Sequence, residues 1–298
     1  MFVVKYRKIF FILSAIFVLA SIGSVAIFGL PFGIDFTGGA ITEVEYTTER
    51  PSKEVLEGRF NNLAIGGYSL RPTGEDGYIL RTRDLSEEER QAVMEIFAAE
   101  NESVQAKRFN SIGPVIGAEL RNKAFVAISV VVVAIILFIA FVFRKVSRPV
   151  SSWKYGFIAI IALIHDVIVP VGVFAVLGYL VGAEVNALFV MALLAILGYS
   201  VNDTIVVFDR VRENLRLNQE SNRKEEFEMT VGKSLKQTYT RSINTSLTTV
   251  FVLLTLFFIG PVATQDFALV LLVGVVAGTY SSIFLATPLL VAFQKKVK

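Results

Sequence analysis

The sequence predicts an α-helical membrane protein with six transmembrane helices and one extracytoplasmic ferredoxin-like α+β domain. Three observations predict it. Hydrophobic residues make up 54% of the 298, above the roughly 45–50% of a soluble domain, and the mean hydropathy is +0.61. The excess collects into six long apolar stretches, at about 9–29, 124–143, 156–180, 185–207, 242–260 and 267–293, each able to cross ~30 Å of hydrocarbon. Between the first and second stretches, residues 30–123 alternate apolar and polar side chains between turn signals, as a folded domain does.

Taken in order, residues 1–29 hold the first span. It follows Lys5, Arg7 and Lys8, and its apolar run is longer than the roughly 7–15 residues of a signal-peptide core. It therefore reads as a retained signal anchor, with a cleaved signal as the open alternative. In the outer domain, residues 40–46 alternate as a strand and 52–63 read as a short helix. Residues 68–71 and 78–82 form a strand pair around Thr73-Gly74-Glu75-Asp76-Gly77. Ser86 then opens a helix with Glu87, Glu88 and Glu89 in its first turn, where the macrodipole favours negative charge. A last strand at 104–109 completes β-α-β-β-α-β, the ferredoxin-like unit. That fold hosts many unrelated functions, so it narrows little by itself. Residues 124–298 supply five further spans, with a cytoplasmic loop at about 209–240.

Lys and Arg in short loops are biased to the cytoplasm. They cluster at the N-terminus, in Arg144, Lys145, Arg148 and Lys154, in 210–241, and in Lys295, Lys296 and Lys298. The loops near 182–186 and 260–265 contain none. Both termini are thus expected in the cytoplasm and residues 30–123 outside. The net charge of +3 and pI near 9.0 follow from this topology and need no nucleic-acid partner. The chain has no Cys and one His, which excludes disulfides, thiolate catalysis and a zinc site built on several such ligands. Neither an enzyme activity nor a bound cofactor is expected.

Four ionisable residues sit where a bilayer makes them costly. Asp203 lies four to six residues inside the boundary at Asp209 and Arg210, some 6–9 Å deep at about 1.5 Å per residue. An ionised carboxylate there costs a few kcal/mol unless paired or hydrated. Arg241 opens the fifth stretch from the same side, at similar depth, and forms a plausible pair with it. Asp166 and its neighbour His165 fall near the middle of the third stretch, an arrangement suited to a protonatable relay. The plainer alternatives are static helix glue for the acids and snorkelling to headgroups for Arg241. Gly274, Gly278, Ser281 and Ser282 form a small-residue face for close helix packing. Asn244, Thr245, Thr248 and Thr249 either line a hydrated path or bond across helices.

Several motifs resemble one family. Gly33-Ile34-Asp35-Phe36-Thr37-Gly38-Gly39 looks like the opening of the extracytoplasmic domain in the SecD and SecF subunits of bacterial protein export. Ser111-Ile112-Gly113-Pro114-Val115-Ile116-Gly117 resembles the segment that closes it. His165-Asp166-Val167, the run from Gly198 through Asn202-Asp203 to Asp209-Arg210, and Thr240-Arg241-Ser242-Ile243-Asn244-Thr245-Ser246 are similar to SecF motifs in the same order. Asn202-Asp203 and the single compact outer domain favour SecF over SecD. The resemblance implies membership of the resistance-nodulation-division superfamily and a location in the bacterial inner membrane. It also implies pairing with SecD, work beside the SecYEG channel on preproteins, and contacts with YajC-like and YidC-like proteins. Asp203 and Arg241 then match positions of proton passage, and the energy source is the proton gradient rather than a cofactor.

Rival readings are a translocon scaffold without proton coupling and a proton-coupled exporter of small molecules or lipids. An intramembrane aspartyl protease would use two membrane carboxylates, but the sequence before Asp203 lacks the Gly-x-Gly-Asp pattern of such enzymes.

Overall fold

The computed structural model describes residues 2–100, 103–143 and 152–294. Arg144, Lys145, Arg148, Lys295, Lys296 and Lys298, which carry part of the orientation argument, lie outside the described residues. The chain forms two compact units, one of residues 32–125 and one of residues 1–31 with 126–298. It opens with a short helix α1 (Phe2–Lys5) and the first long helix α2 (Arg7–Phe28).

The smaller unit holds α3 (Ile34–Thr37), β1 (Gly39–Tyr46), α4 (Lys53–Phe60), β2 (Ser69–Thr73), β3 (Gly77–Thr82), α5 (Glu87–Glu100) and β4 (Val104–Ile112). The strands form one antiparallel sheet in the order β2-β3-β1-β4, as the β-α-β-β-α-β pattern requires. Central β1 buries Ala40, Thr42, Val44 and Tyr46, every second residue, because successive side chains of a strand face opposite ways. Val44, Tyr46, Leu70, Tyr78 and Leu80 meet Leu56 and Phe60 of α4 and Val93 and Phe97 of α5 in a single core. Ser86 and Glu89 cap α5 reciprocally. The Ser86 amide donates to Glu89 Oε2 at 2.9 Å and the Glu89 amide donates to Ser86 Oγ at 3.2 Å, a capping box written in the sequence as Ser-x-x-Glu.

The glycine motifs meet at one backbone junction in this unit. Gly38 has φ of +75°, and a Cβ there would lie 2.7 Å from Pro114 Cα. A Cβ on Gly117 would lie 2.7 Å from the Gly38 nitrogen. Main chain touches main chain, which only glycine permits. β4 ends at Ile112, Gly113 links, and the next helix, α6 (Pro114–Phe143), begins at once. Proline suits that first helical position because its missing N–H has no partner there anyway.

The larger unit adds the rest of α6, α7 (Ser152–Val181), α8 (Ala187–Glu220), α9 (Phe227–Ile259) and α10 (Val262–Tyr280). A π-helical turn (Ser281–Ala286) and α11 (Thr287–Ala292) continue the last helix. Among the described residues, six helices are long and apolar enough to span a bilayer. Asn186 caps α8 by accepting from the Phe189 amide at 2.9 Å. Where α10 crosses α8, a Cβ on Gly278 would meet Ser200 Cβ at 3.0 Å. The small-residue face anticipated from sequence therefore packs two helices closely.

The stretch 209–240 is helical over most of its length. α8 continues to Glu220 and α9 starts at Phe227, so only residues 221–226 turn. A ladder of polar contacts holds the two arms. Asn214 Nδ2 donates to Ser234 Oγ and Gln237 Oε1, both at 2.8 Å, and Asn218 Nδ2 donates to Glu225 Oε2 at 2.9 Å. Hydrogen bonds from Asn218 and then Thr230 hold the Glu225 carboxyl below the usual carboxylate range. Hydrophilic spacing suggested a loop, but Val211, Leu215 and Val231 recur at helical spacing and are buried in the bundle core.

Candidate functional site

The interior of the larger unit contains a polar centre surrounded by apolar packing. α7 brings His165 and Asp166, with 2% and 0% of their surface exposed. His165 Nδ1 lies 2.8 Å from Asp166 Oδ1. Asp166 Oδ2 accepts from Ser200 Oγ of α8 and from Ser281 Oγ, the first residue of the π-helical turn, at 2.7 Å. Three helices thus converge on one carboxylate. The His165 ring stacks on Tyr280 at 5.8 Å, and the Tyr280 hydroxyl accepts from Ser14 of α2 and donates to the Phe10 carbonyl, each at 3.2 Å. His165 Nε2 is buried and has no protein partner.

Asp203 is buried one turn along α8 from Ser200. Its surroundings differ. Ser242 of α9 lies beside the carboxylate and the Arg241 guanidinium acts on it through space. Yet Asp203 Oδ2 and Ser242 Oγ both lack a hydrogen bond of good geometry, and among the described residues no ion pair within 4.0 Å joins Asp203 to Arg241. Arg241 itself is exposed on the outside of the bundle. Beyond it, Thr204 and Ser282 share a hydrogen bond at 2.8 Å, and Ser246 and Thr279 share one at 2.5 Å.

The structure therefore brings His165 and Asp166 together, sets Asp203 on the neighbouring face of α8, and leaves Arg241 within electrostatic reach rather than in contact. Asn202 points out of the bundle while Asp203 points in. Asp209 and Arg210 lie further along α8, paired locally: Asp209 with Arg212 at 3.7 Å and Arg210 with Glu213 at 2.5 Å. Gly33 precedes α3, Asp35 lies in its first turn, and Gly38, Gly39, Gly113 and Pro114 build the junction already described.

Ser200, Tyr280 and Ser14 were not legible as site residues, and Ser281 read only as packing. One signal was available. Ser200, Asp203 and Thr204 fall at i, i+3 and i+4, one polar stripe on an apolar helix, and all three are buried.

Comparisons with known proteins cover nearly the whole chain. Residues 92–296 match the family model described as protein export membrane protein SecD/SecF, C-terminal, and residues 23–49 match the SecD/SecF GG motif. The protein translocase subunit SecF of Thermobaculum terrenum is 41% identical, covering 99% of this chain and 94% of that protein. The SecF of Anaerolinea thermophila is 40% identical over 97% of this chain and 92% of its own length. Among solved structures, crystalline SecDF from Thermus thermophilus, a translocon-associated membrane protein, superposes with a TM-score of 0.83 at 30% identity. It covers 97% of this chain, which in turn spans 38% of that longer chain. With motifs, spans and fold all matching over nearly its full length, the chain belongs to the SecD/SecF family of protein export membrane proteins, as a SecF-type subunit.

Proposed function

We propose that this multi-pass membrane protein is the auxiliary Sec-translocase subunit that works with SecD, using the proton motive force to promote preprotein export through SecYEG. The observation that carries the proton-coupled reading is the pair of buried carboxylates, Asp166 and Asp203, inside membrane-spanning helices. Such residues are rare in spans and mark ion or proton pathways. Asp203 serves as the proton site, because its carboxylate lacks a fixed ion pair and has a cation, Arg241, within electrostatic reach. His165 and Asp166 form the second protonatable centre on the relay. Protonation of Asp203 weakens the pull of Arg241, and the helices carrying the two residues shift relative to each other. A proton crossing 100 mV supplies about 2.3 kcal/mol, so several protons per useful movement are implied.

Pairing with SecD is supported by the outward face of α8 and α9. Ala195, Gly198, Asn202, Arg241, Asn244 and Thr245 are all exposed in the isolated chain, and small and polar residues facing away from a bundle within the membrane suit a partner helix better than lipid. The distribution of Lys and Arg supports both termini in the cytoplasm of a bacterial inner-membrane protein. Contacts with YajC-like and YidC-like proteins extend the same reading, and no bound cofactor or catalytic reaction is assigned.

The test is export into proteoliposomes carrying SecYEG, SecD and this chain under an imposed proton gradient. Asp203→Asn is expected to remove the gradient-dependent part of export while the complex still assembles. Full gradient dependence in that variant would sink the proton reading and leave the scaffold.

A further inference from the structure

The geometry points to Asp166 as a latch on the π-helical turn of the last span. With its carboxylate charged it holds Ser281 and fixes the turn, and with a proton on it the turn is released.

The turn starts at the residue that bonds Asp166. Ser281 Oγ has one proton and two acceptors in reach, Asp166 Oδ2 at 2.7 Å and the Gly278 carbonyl at 3.1 Å. It can donate to only one at a time. A charged carboxylate is the stronger acceptor, so the donor goes to Asp166 and the local backbone stays drawn toward α7. A protonated carboxyl gives up that advantage, and the serine falls back on the carbonyl three residues earlier, as serines in helices commonly do. The five-residue spacing is held on the far side as well, where Thr287 Oγ1 donates to the Ser282 carbonyl at 2.7 Å. π-helical turns inside α-helices cluster at functional positions, and this one meets the only fully enclosed carboxylate among the described residues of the bundle.

The mechanical consequence follows from helix geometry. A π turn carries one residue more than the α turn it replaces. Moving that residue past a point rotates everything beyond it by about 100° and displaces it by about 1.5 Å. Beyond the turn lies α11, whose end is tied to the start of α7: Lys154 Nζ donates to the Phe293 carbonyl at 2.7 Å. Release at Asp166 is therefore read out at the other end of the same helix pair. Few groups surround Asp166: His165 from α7 itself, the hydroxyls of Ser200 from α8 and Ser281 from the last span, and Tyr280 stacked on the His165 ring, whose hydroxyl is bonded by Ser14 of α2. Asp203 is the next buried carboxyl, one α8 turn past Ser200.

This inference rests on the reading that protons reach the bundle interior, and a test independent of export separates the two. The chain has no cysteine, so Val173→Cys on α7 and Phe293→Cys after α11 give a clean spin-label pair in the full chain in lipid nanodiscs. The parent is expected to show a distance that shifts by several ångströms from alkaline to acid pH. Asp166→Asn, which mimics the protonated acid, is expected to hold the acid distance at every pH. Ser281→Ala, a small change in a helix, is expected to lose the pH response in the same way. A distance that does not move with pH in the parent overturns the latch. So does a pH response that survives unchanged in both variants, since the titrating group is then another one. Either result leaves the Asp203→Asn export test standing on its own.

Discussion

Two carboxylates sit at α8 one turn apart, Asp166 bonded to Ser200 and Asp203 on α8 itself, and they are held in opposite ways. Asp166 has both oxygens engaged, Oδ1 by an imidazole and Oδ2 by two hydroxyls, from three helices. Asp203 has a serine beside it and an arginine at a distance, with one oxygen bonded to no protein atom. Buried polar atoms cost least when each has a hydrogen-bond partner and most when one is left without. The first arrangement specifies a structure, and the second keeps a group available for exchange. A carboxylate that must gain and lose a proton during work cannot be the one that holds three helices in register, unless the register is itself what changes.

The comparison is sharpened most by removing each acid. Asp166→Leu strands His165, Ser200 and Ser281 and is expected to cost about 2–4 kcal/mol, read from unfolding of the full chain in detergent mixtures. Asp203→Leu, which removes a group with few bonds to lose, should stay within about 1 kcal/mol of the parent. Equal losses would erase the distinction. Next come the hydroxyls. Ser200→Ala and Ser281→Ala should each cost about 0.6 kcal/mol and at most about 1.7, the range of interhelical hydrogen bonds. Those costs should shrink in an Asp166→Asn background, because residues in one network couple. Ser242→Ala beside Asp203 is expected to fall below about 0.5 kcal/mol, since its hydroxyl lies beside the carboxylate without a well-formed hydrogen bond.

The smallest effect comes from a carboxylate outside the membrane that makes as many bonds as Asp166. Glu89 receives two from Arg83 and one from the Ser86 amide, and the arginine first, then the amide, hold its carboxyl below the usual range. A depressed carboxyl contributes stability above its unfolded pKa and loses it as pH falls through the folded value. Amide exchange in the first turn of α5, corrected for intrinsic rates, should therefore rise in that acid window and become flat in Glu89→Gln. Its effect should be slight, because water competes for every bond it makes. Bond number alone does not make a carboxylate structural; burial does.

The order of strands and helices in the sheet domain was readable from the sequence, with ends off by up to three residues and the short α3 missed. Period-two burial in 40–46, the turn at 73–77 and the acidic start of α5 are local signals, each with a local cause. The spans were equally readable as apolar runs, but their ends were not. Once the α8–α9 arms leave the hydrocarbon, polar surface and helical spacing coexist, and charge was mistaken for a loop at 209–240. The acids were found because carboxylates are conspicuous among leucines. The serines around Asp166 were not, because a hydroxyl in a span is common and its partner, 115 positions away for Ser281, is set only by packing. Whether the plausible pair Asp203 and Arg241 touch was not legible for a related reason: equal depth on two helices does not fix which way each side chain faces.

The glycine junction at Gly38 and Gly117 has a consequence for how the sheet can be steered. A single residue separates the last strand from a thirty-residue helix, and main-chain contact seals the corner. The attitude of the sheet and the azimuth of that helix at its start are then one variable rather than two. A load applied to either is felt by the other without slack.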